Sequence, residues 1–192
     1  MQGNLMPRFK MFCLSIIIAV LSNPTYAEIM SEADLASAIQ FVGQNELCDW
    51  SQANDPIYRE MNLTYSIDDT VTLFGLLCWH GAYLPNHIWL LKSASSPSLY
   101  QQARFAHPVV EEGANAPLGI GVVTTLPSSS YDPVTRTLVA RSWYLAGDLS
   151  EQVTYQLDYR PDYSIVRFLL KEFSADTLRG KSGENVTVSY NK

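Results

Sequence analysis

The sequence predicts a mainly β protein of the α+β class, in which an antiparallel sheet or meander follows one N-terminal amphipathic helix. Three observations lead to this prediction. Apolar residues recur at helical spacing over residues 32–43. Beyond that segment the hydrophobic period changes to two, which is typical of half-buried strands. In the last third of the chain, strand-like segments alternate with short turn signals, as in an antiparallel meander.

The first 27 residues have the layout of a secretory signal peptide. Arg8 and Lys10 precede the apolar run MFCLSIIIAVL. The segment Thr25-Tyr26-Ala27 then has small residues at its first and third positions, as expected before a cleavage site. The run is about a dozen residues long, shorter than the roughly 20 that span a bilayer, although an uncleaved anchor remains the alternative. We therefore expect a single β-rich domain over 28–192 that is periplasmic or secreted and has no membrane span after processing.

The charge of the chain argues against two classes of partner. The full sequence has 13 basic and 19 acidic residues. Cleavage after Ala27 removes Arg8 and Lys10 and no acidic residue, which leaves 11 basic against 19 acidic residues and a net charge of −8. Binding to nucleic acid or to anionic lipid depends on basic patches. We therefore expect no nucleic-acid partner and no adsorption to a membrane surface, whereas a basic protein partner is compatible.

The helix is predicted over about residues 32–43. Ser31 is a good N-cap, and Asp34 lies where a reciprocal capping carboxylate belongs. Gly43 is the expected terminator. The apolar face consists of Leu35, Ala38, Ile39 and Val42.

The segments that follow are predicted to be strands. NLTYSI alternates, whereas VTLFGLLCW is apolar on both faces, as expected of a central strand that is covered on both sides. HIWLLK is the predicted hairpin partner of VTLFGLLCW. SLYQQARF is predicted as a weaker strand, and APLGIGVVTTL as a loop that enters another strand. The core face of the first segment consists of Leu63, Tyr65 and Ile67.

The C-terminal third is predicted to be a three-stranded meander with an added edge strand. TLVARSWYL, EQVTYQLDY and YSIVRFLLKEF are separated by turn signals at 146–148 and 160–162. NVTVSY is the predicted edge strand. The residues expected to face the core from the middle strand are Val153, Tyr155 and Leu157.

Cys48 and Cys78 are the two cysteines left after cleavage, and we predict that they form a disulfide. An exported chain meets an oxidising compartment, where paired thiols usually become bonded. The alternative is a catalytic pair of Cys78 and His80, which would lie on the same face of a strand. That pair needs a lowered thiol pKa and an orienting third group, and the sequence indicates neither.

The histidines do not form a recognisable metal motif. His80, His87 and His107 lack zinc-binding spacing, and the chain has no Cys-x-x-Cys. It also lacks the motifs of nucleotide sites, phosphate loops and Gly-x-Ser-x-Gly hydrolases. We therefore predict no metal and no cofactor, with a metal site built from distant residues as the alternative.

The aromatic residues are candidates for a binding surface. Trp and Tyr supply large contact areas in sugar and peptide recognition. The competing interpretation is core packing, which is the more frequent role of aromatic residues in strands. The candidate surface residues are Trp79, His80, Tyr83, Trp89 and Trp143.

Two segments, LLCWHGAYLPNHIWLL and YDPVTRTLVARSWYLAGD, resemble a family of uncharacterised exported bacterial proteins, the domain of unknown function numbered eleven-seventy-six. The first is similar to that family's cysteine-bearing strand, Gly-Ala-Tyr and second apolar strand. The second is similar to its Asp turn, strand and Gly-Asp turn. Two typical cysteines are missing, because Leu149 follows Gly147-Asp148 and Leu178 precedes Arg179-Gly180. The resemblance implies an exported protein of unknown biochemical role, and it supplies no catalytic residues.

Together these observations predict an exported, non-catalytic binding protein, such as an inhibitor or immunity-like module, whose partner is another envelope or secreted protein. The alternative is a cell-envelope hydrolase that uses His80 or His107 with scattered carboxylates. A hydrolase should have a concave pocket where a histidine and a carboxylate converge. A binding module should have an exposed aromatic or apolar patch. The oligomeric state is left open.

Overall fold

Two antiparallel sheets, a two-stranded ribbon and one α-helix make up the fold of this computed structural model, which confirms the predicted mainly β class. The structure describes residues 27–48, 52–81, 84–96, 99–109, 117–144, 149–160, 165–176 and 185–190. The strands are β1 (Glu28–Ile29), β2 (Leu63–Ser66), β3 (Val71–His80), β4 (Pro85–Ser93), β5 (Tyr100–Gln102), β6 (Phe105–Val109), β7 (Gly119–Val123), β8 (Thr125–Pro127), β9 (Ser130–Asp132), β10 (Thr137–Tyr144), β11 (Leu149–Arg160), β12 (Ile165–Asp176) and β13 (Asn185–Ser189).

The helix, α1 (Glu32–Gln44), begins as the sequence predicts. Ser31 is the N-cap, and its hydroxyl oxygen accepts a hydrogen bond from the backbone N–H of Asp34 at 3.2 Å. The Asp34 carboxylate also pairs with the ammonium of Lys92 on β4 at 3.0 Å. The N-terminal turn of the helix is therefore linked to the sheet that the helix covers.

The end of α1 differs from the prediction. Gly43 does not terminate the helix, because the helix runs through Gln44 and is capped by Asn45. The backbone and side-chain N–H groups of Asn45 both donate to the carbonyl of Phe41. The left-handed residue beyond the helix is Glu46, with φ of 51°. The reversal is thus made by an Asn–Glu pair, and Gly43 stays inside the helix.

The first sheet has the order β1-β2-β3-β4-β5, and β8 pairs with the remaining length of the β4 edge. The predicted hairpin is confirmed, since β3 and β4 pair antiparallel along nearly their whole lengths. Gly75 lies directly opposite Trp89, and a Cβ atom at Gly75 would lie 3.0 Å from the indole. The absence of a side chain at Gly75 therefore gives the Trp89 ring its place in the core.

The second sheet has the order β13-β12-β11-β10-β9 and contains the predicted meander. NVTVSY is an edge strand, as predicted. The register between β11 and β12 shifts at Thr154/Tyr155, which leaves Lys171 as the extra residue of a bulge. The turns predicted at 146–148 and 160–162 lie outside the described residues, apart from Arg160. Three residues face the core as predicted, namely Val153, Tyr155 and Leu157.

The apolar residues form two clusters, one on each face of the β3–β4 hairpin. The inter-sheet core fills the space between the two sheets and receives Leu73 and Trp89 from the hairpin. The helix core lies under α1 and receives Leu76 and Leu90 from the same two strands. The prediction that VTLFGLLCW is covered on both faces is therefore confirmed. The helix contributes Leu35, Ala38 and Val42 to the helix core, whereas β10–β12 contribute Leu138, Val153, Tyr155, Leu157, Phe168 and Phe173 to the inter-sheet core.

The ribbon of β6 and β7 joins the two sheets. Phe105 on β6 packs against Tyr155 and Phe168 of the second sheet, with ring centroids 5.0 and 5.2 Å apart. β7 then leads directly into β8, which returns to the first sheet. Of the two less regular segments of the sequence, SLYQQARF thus contains β5 and the first residue of β6, and APLGIGVVTTL contains β7 and most of β8.

None of the helices within the described ranges is long and apolar enough to cross a membrane. Residues 1–26, which contain nearly all of the predicted signal peptide, lie outside those ranges.

Candidate functional site

The disulfide that the sequence predicts is present between Cys48 and Cys78, with their Cα atoms 5.4 Å apart. The register of β3 against β4 skips from Leu77 to Trp79, so Cys78 is the extra residue of a bulge. The bond therefore ties the segment after α1 to a bend in β3. A bonded sulfur has no thiolate, which excludes the alternative catalytic pair of Cys78 with His80.

Asn62 fixes the same bend from the other side. Its buried side chain accepts a hydrogen bond from the backbone N–H of Leu77 at 2.9 Å. The amide nitrogen of Asn62 lies within hydrogen-bond distance of the carbonyls of Ala53 and Tyr58, at 3.3 Å each. Tyr58 belongs to a 3₁₀ helix, Pro56–Met61. One buried amide thus joins that helix to the bent end of β3.

Trp79 follows the bulge and is 47% exposed, although it lies within a strand. Its ring covers Gly81, where an added Cβ atom would collide with the indole. The glycine therefore permits the close approach that holds the ring against the backbone. The result is a large aromatic side chain presented to solvent on a backbone that the disulfide constrains.

His80, the residue after Trp79, contacts the 3₁₀ helix. The imidazole of His80 stacks on the Tyr58 ring, with centroids 5.3 Å apart and planes at 17°. The backbone N–H of His80 donates to the Gln52 side chain. Ile57, next to Tyr58, is 80% exposed. Trp79 and the stacked pair of Tyr58 and His80 lie at the same end of β3, and Ile57 is the neighbour of Tyr58 in sequence. We name these four residues the aromatic surface.

The structure separates one candidate surface residue, Trp89, from this group. Trp89 is completely buried, and its indole N–H donates to Ser129 at 2.9 Å. Its assignment to a binding surface is therefore wrong, because a satisfied indole between two sheets has no contact with solvent. Tyr83 and the side chain of Trp143 lie outside the described residues.

Two members of the aromatic surface, Ile57 and Tyr58, were not identified from the sequence. The available signal was Asp55-Pro56, since Asp is a good N-cap and Pro is favoured at the first helical position. The structure uses both, with the Asp55 carboxylate accepting from the N–H of Ile57 at 2.9 Å. The helix would have been predictable, but its approach to His80 depends on pairing that is distant in sequence.

One histidine, His107, lies near a carboxylate, as the alternative of a hydrolase would require. Nδ1 of His107 lies 3.5 Å from the hydroxyl of the buried Tyr155. Burial lowers the pKa of His107, and the nearby Glu151 carboxylate opposes that change. Burial, and then the same carboxylate, raise the pKa of Tyr155. Ser142 donates to Glu151 at 3.2 Å. A histidine of the ribbon therefore interacts with a phenol and a carboxylate of the second sheet.

A groove of about 430 Å³ lies close to this group but does not include it. Its lining contains neither a histidine nor a carboxylate, so it does not unite the groups that hydrolysis would need. The described residues also contain no cluster of three metal-ligating side chains. The residues that line the groove are Gln101, Gln102, Ala103, Arg104, Arg167 and Phe168.

His87 is the third histidine, and it is buried opposite the bulged part of β3. It lies between Leu77 on β3 and Leu126 on β8, and its Nε2 is 3.1 Å from the carbonyl of Met61. Burial lowers the pKa of His87 to about 4, and the Met61 carbonyl partly opposes the change. Nδ1 has no hydrogen-bond partner within the described part of the chain. The imidazole is therefore neutral in the folded protein near neutral pH.

Comparison of the chain with protein-family models, with curated proteins and with solved structures finds no match. The resemblance to the domain of unknown function numbered eleven-seventy-six therefore stays a prediction from the two quoted segments.

Proposed function

We propose that this chain is an exported, non-catalytic protein that binds a protein partner through the aromatic surface at the end of β3. The observation that carries the proposal is Trp79, a tryptophan 47% exposed beside a disulfide-linked bulge. Tryptophan is among the residues most enriched at binding hot spots, since one indole supplies a large apolar contact and one hydrogen-bond donor.

The rigidity of the surface favours binding. A partner does not have to order the backbone under Trp79, because the Cys48–Cys78 bond and the Asn62 side chain already constrain it. The backbones that carry the stacked rings are held by hydrogen bonds, since the Asn62 amide donates to the Tyr58 carbonyl and the His80 N–H donates to the Gln52 side chain. A surface that is ordered before binding loses less conformational entropy on association.

The chemistry of the surroundings favours a protein as the partner. Ile57 adds an exposed aliphatic side chain to the aromatic rings. Arg59, on the same 3₁₀ helix, forms an exposed ion pair with Glu32 at 3.6 Å. An apolar centre with polar groups around it is the usual anatomy of a protein interface. By analogy with small acidic exported domains, the partner is an envelope or secreted protein that this chain inhibits or neutralises.

The hydrolase alternative receives weaker support. The Glu151 carboxylate partly opposes the lowering of the His107 pKa, but His107 is half-buried against Tyr155. A general base must reach its substrate from a cavity. The described groove is lined by arginine and glutamine side chains instead, so we favour the binding role.

Replacing Trp79 with alanine tests the proposal. The protein carrying its native disulfide is used to capture partners from an envelope extract, and the Kd of the captured protein is then measured for each variant. Loss of a hot-spot tryptophan costs about 2 kcal/mol or more, which corresponds to a roughly 30-fold weaker Kd. We expect a change of this size for Trp79→Ala with an unchanged melting temperature, because the side chain is largely outside the core.

Two further variants make that measurement specific. Gly81→Ala should displace the Trp79 ring without removing it and should weaken the same complex. Val134→Ala truncates a side chain that is 73% exposed on the turn between β9 and β10, outside the aromatic surface, and it should leave the Kd unchanged. A partner that binds wild type, Trp79→Ala and Gly81→Ala equally well would contradict the proposed site.

Export is tested by the mass of the mature chain. We expect cleavage after Ala27, so intact-mass spectrometry of the exported protein should find Glu28 at its N-terminus. β1 begins at Glu28, so the sheet starts at the first residue of the proposed mature chain. A species that retains residues 1–27 in the membrane fraction would mean that the segment is an anchor.

A further inference from the structure

β7 exposes an apolar face that the proposed function does not use. Leu118, Ile120 and Val122 are 61%, 57% and 69% exposed, and they alternate along one short segment. Alternate residues of a strand lie on the same face. These three side chains therefore form a continuous apolar row in contact with solvent.

β7 is also an edge strand. In the part of the chain that the structure describes, it pairs with β6 and with no other strand. Exposed edges are normally protected by a charge, a proline or a bulge, because their free N–H and C=O groups can pair with another chain. The sequence of β7, GIGVV, contains none of these residues. None of the described strands therefore covers this edge.

We propose that β7 pairs with β7 of a second copy of this chain, antiparallel and centred on Gly121. This register places Gly119 opposite Val123 and Ile120 opposite Val122. The two ribbons of β6 and β7 would then continue into one four-stranded antiparallel sheet. The symmetry is twofold, which is the commonest arrangement of homodimers.

The side chains of β7 complement themselves in this register. Ile120 and Val122 of both copies would form a cluster of four apolar side chains on one face. On the other face, each Val123 would lie opposite a glycine, which leaves room for it. Like charges placed opposite each other destabilise a strand pair. Residues 105–109 and 117–123 contain no Asp, Glu, Lys or Arg, so pairing between copies meets no such penalty.

The charge of the whole chain gives the dimer a particular salt dependence. The proposed mature chain has a net charge of −8, so two copies repel one another at long range. Added salt screens this repulsion and does not weaken apolar contacts or strand pairing. The dimer Kd should therefore decrease as the ionic strength rises, the opposite of an interface held by ion pairs.

Analytical ultracentrifugation of the mature protein tests the oligomeric state. We expect dimers of the wild type at about 100 µM, and a Kd at least about tenfold weaker for Ile120→Lys, which brings two positive charges to the paired edge. The matched control is Val134→Lys, since Val134 is 73% exposed on the turn between β9 and β10. It should dimerise like the wild type. Monomers of the wild type at that concentration would overturn the proposal.

Cross-linking through introduced cysteines tests the register. Two residues directly opposite in antiparallel strands have Cα atoms about 4.5–5.5 Å apart, within disulfide range. Gly121→Cys should therefore form a covalent dimer on mild oxidation. Gly119→Cys should not, because its opposite residue is Val123. Both sites accept a side chain, since the nearest atom to a Cβ at Gly121 is 3.4 Å away and none lies within 4 Å at Gly119.

These experiments distinguish dimerisation through the β7 edge from partner binding through the aromatic surface. Equal cross-linking of the two cysteine variants would overturn the proposed register, and a dimer that persists in Ile120→Lys would place the interface elsewhere. Trp79→Ala should dimerise normally, so loss of partner binding and loss of dimerisation are independent results. A foreign strand bound at β7 would appear as monomeric wild type and would also contradict the proposal.

Discussion

Replacing Cys48 with serine is expected to lower the free energy of unfolding by roughly 2–5 kcal/mol. The bond closes a loop with a sequence separation of 30, and the chain-entropy model assigns about 3–4 kcal/mol to a loop of that length. Chemical denaturation of the oxidised protein, with and without reductant, measures the change. Reduction of the wild type should produce a loss similar to that of Cys48→Ser.

The two cysteines provide a matched comparison. Both Cys48→Ser and Cys78→Ser remove the same bond, but Cys48 is half-buried and Cys78 is fully buried in the helix core. A serine hydroxyl at Cys78 without a partner adds a desolvation cost of about 1–3 kcal/mol. Cys78→Ser should therefore be the less stable variant. Two titratable thiols in the native exported protein, or a stability unaffected by reductant, would contradict the structural role.

The stability of the protein is expected to fall by about 3 kcal/mol as the pH decreases from about 7 to 4, because of His87 alone. The unfolded histidine binds a proton near its ordinary pKa of 6.5, whereas the folded one does so only near 4. Between these values the unfolded state holds more protons, so protonation favours unfolding. The contribution is fully present above pH 6.5 and is lost progressively as the pH falls towards 4. The size follows from about 1.4 kcal/mol for each pH unit.

His87→Gln isolates this contribution. Glutamine does not titrate, and its amide can donate to the Met61 carbonyl in place of the imidazole. Denaturation at a series of pH values should give a smaller slope for His87→Gln than for the wild type between pH 4 and 6.5. Above pH 7 the free energy of unfolding should depend on pH in the same way for the two proteins, even if its absolute value differs. An identical slope for both proteins in acid would exclude His87 as the source.

The strand architecture could be predicted because its signals are local. Val153, Tyr155 and Leu157 alternate with polar residues, and the structure buries all three. The run VTLFGLLCW is apolar on both faces, and the structure covers it with the helix core on one side and the inter-sheet core on the other. Period and composition contain this information without reference to any distant residue.

The fate of individual tryptophans could not be predicted in the same way. Trp79 and Trp89 both occur in apolar strands, yet one is 47% exposed and the other is completely buried. The difference arises from the bulge at Cys78 and from the space above Gly75, and both depend on how β3 meets β4. A bulge inserts one residue into a strand, so the residues beyond it change faces relative to the regular alternation. The hydrophobic pattern of the sequence does not indicate where a bulge occurs.

The candidate site was predictable only in part for the same reason. The disulfide followed from cysteine count and compartment, which require no geometry. The stacking of Tyr58 on His80 joins residues 22 positions apart, and it involves a 3₁₀ helix of only six residues. Such a contact depends on the Asn62 hydrogen bonds between the 3₁₀ helix and β3, which are tertiary interactions.

The hairpin of β3 and β4 has a consequence for how the molecule unfolds. Its side chains belong to both apolar clusters, with Leu73 and Trp89 in one and Leu76 and Leu90 in the other. If one cluster loses its packing, the hairpin loses support on one face, and this weakens the packing of the cluster on the opposite face. The helix and the C-terminal meander, which are far apart in sequence, are thereby made thermodynamically dependent on each other. We therefore expect the described part of the chain to unfold as one cooperative unit, without a stable form in which only the C-terminal meander is intact.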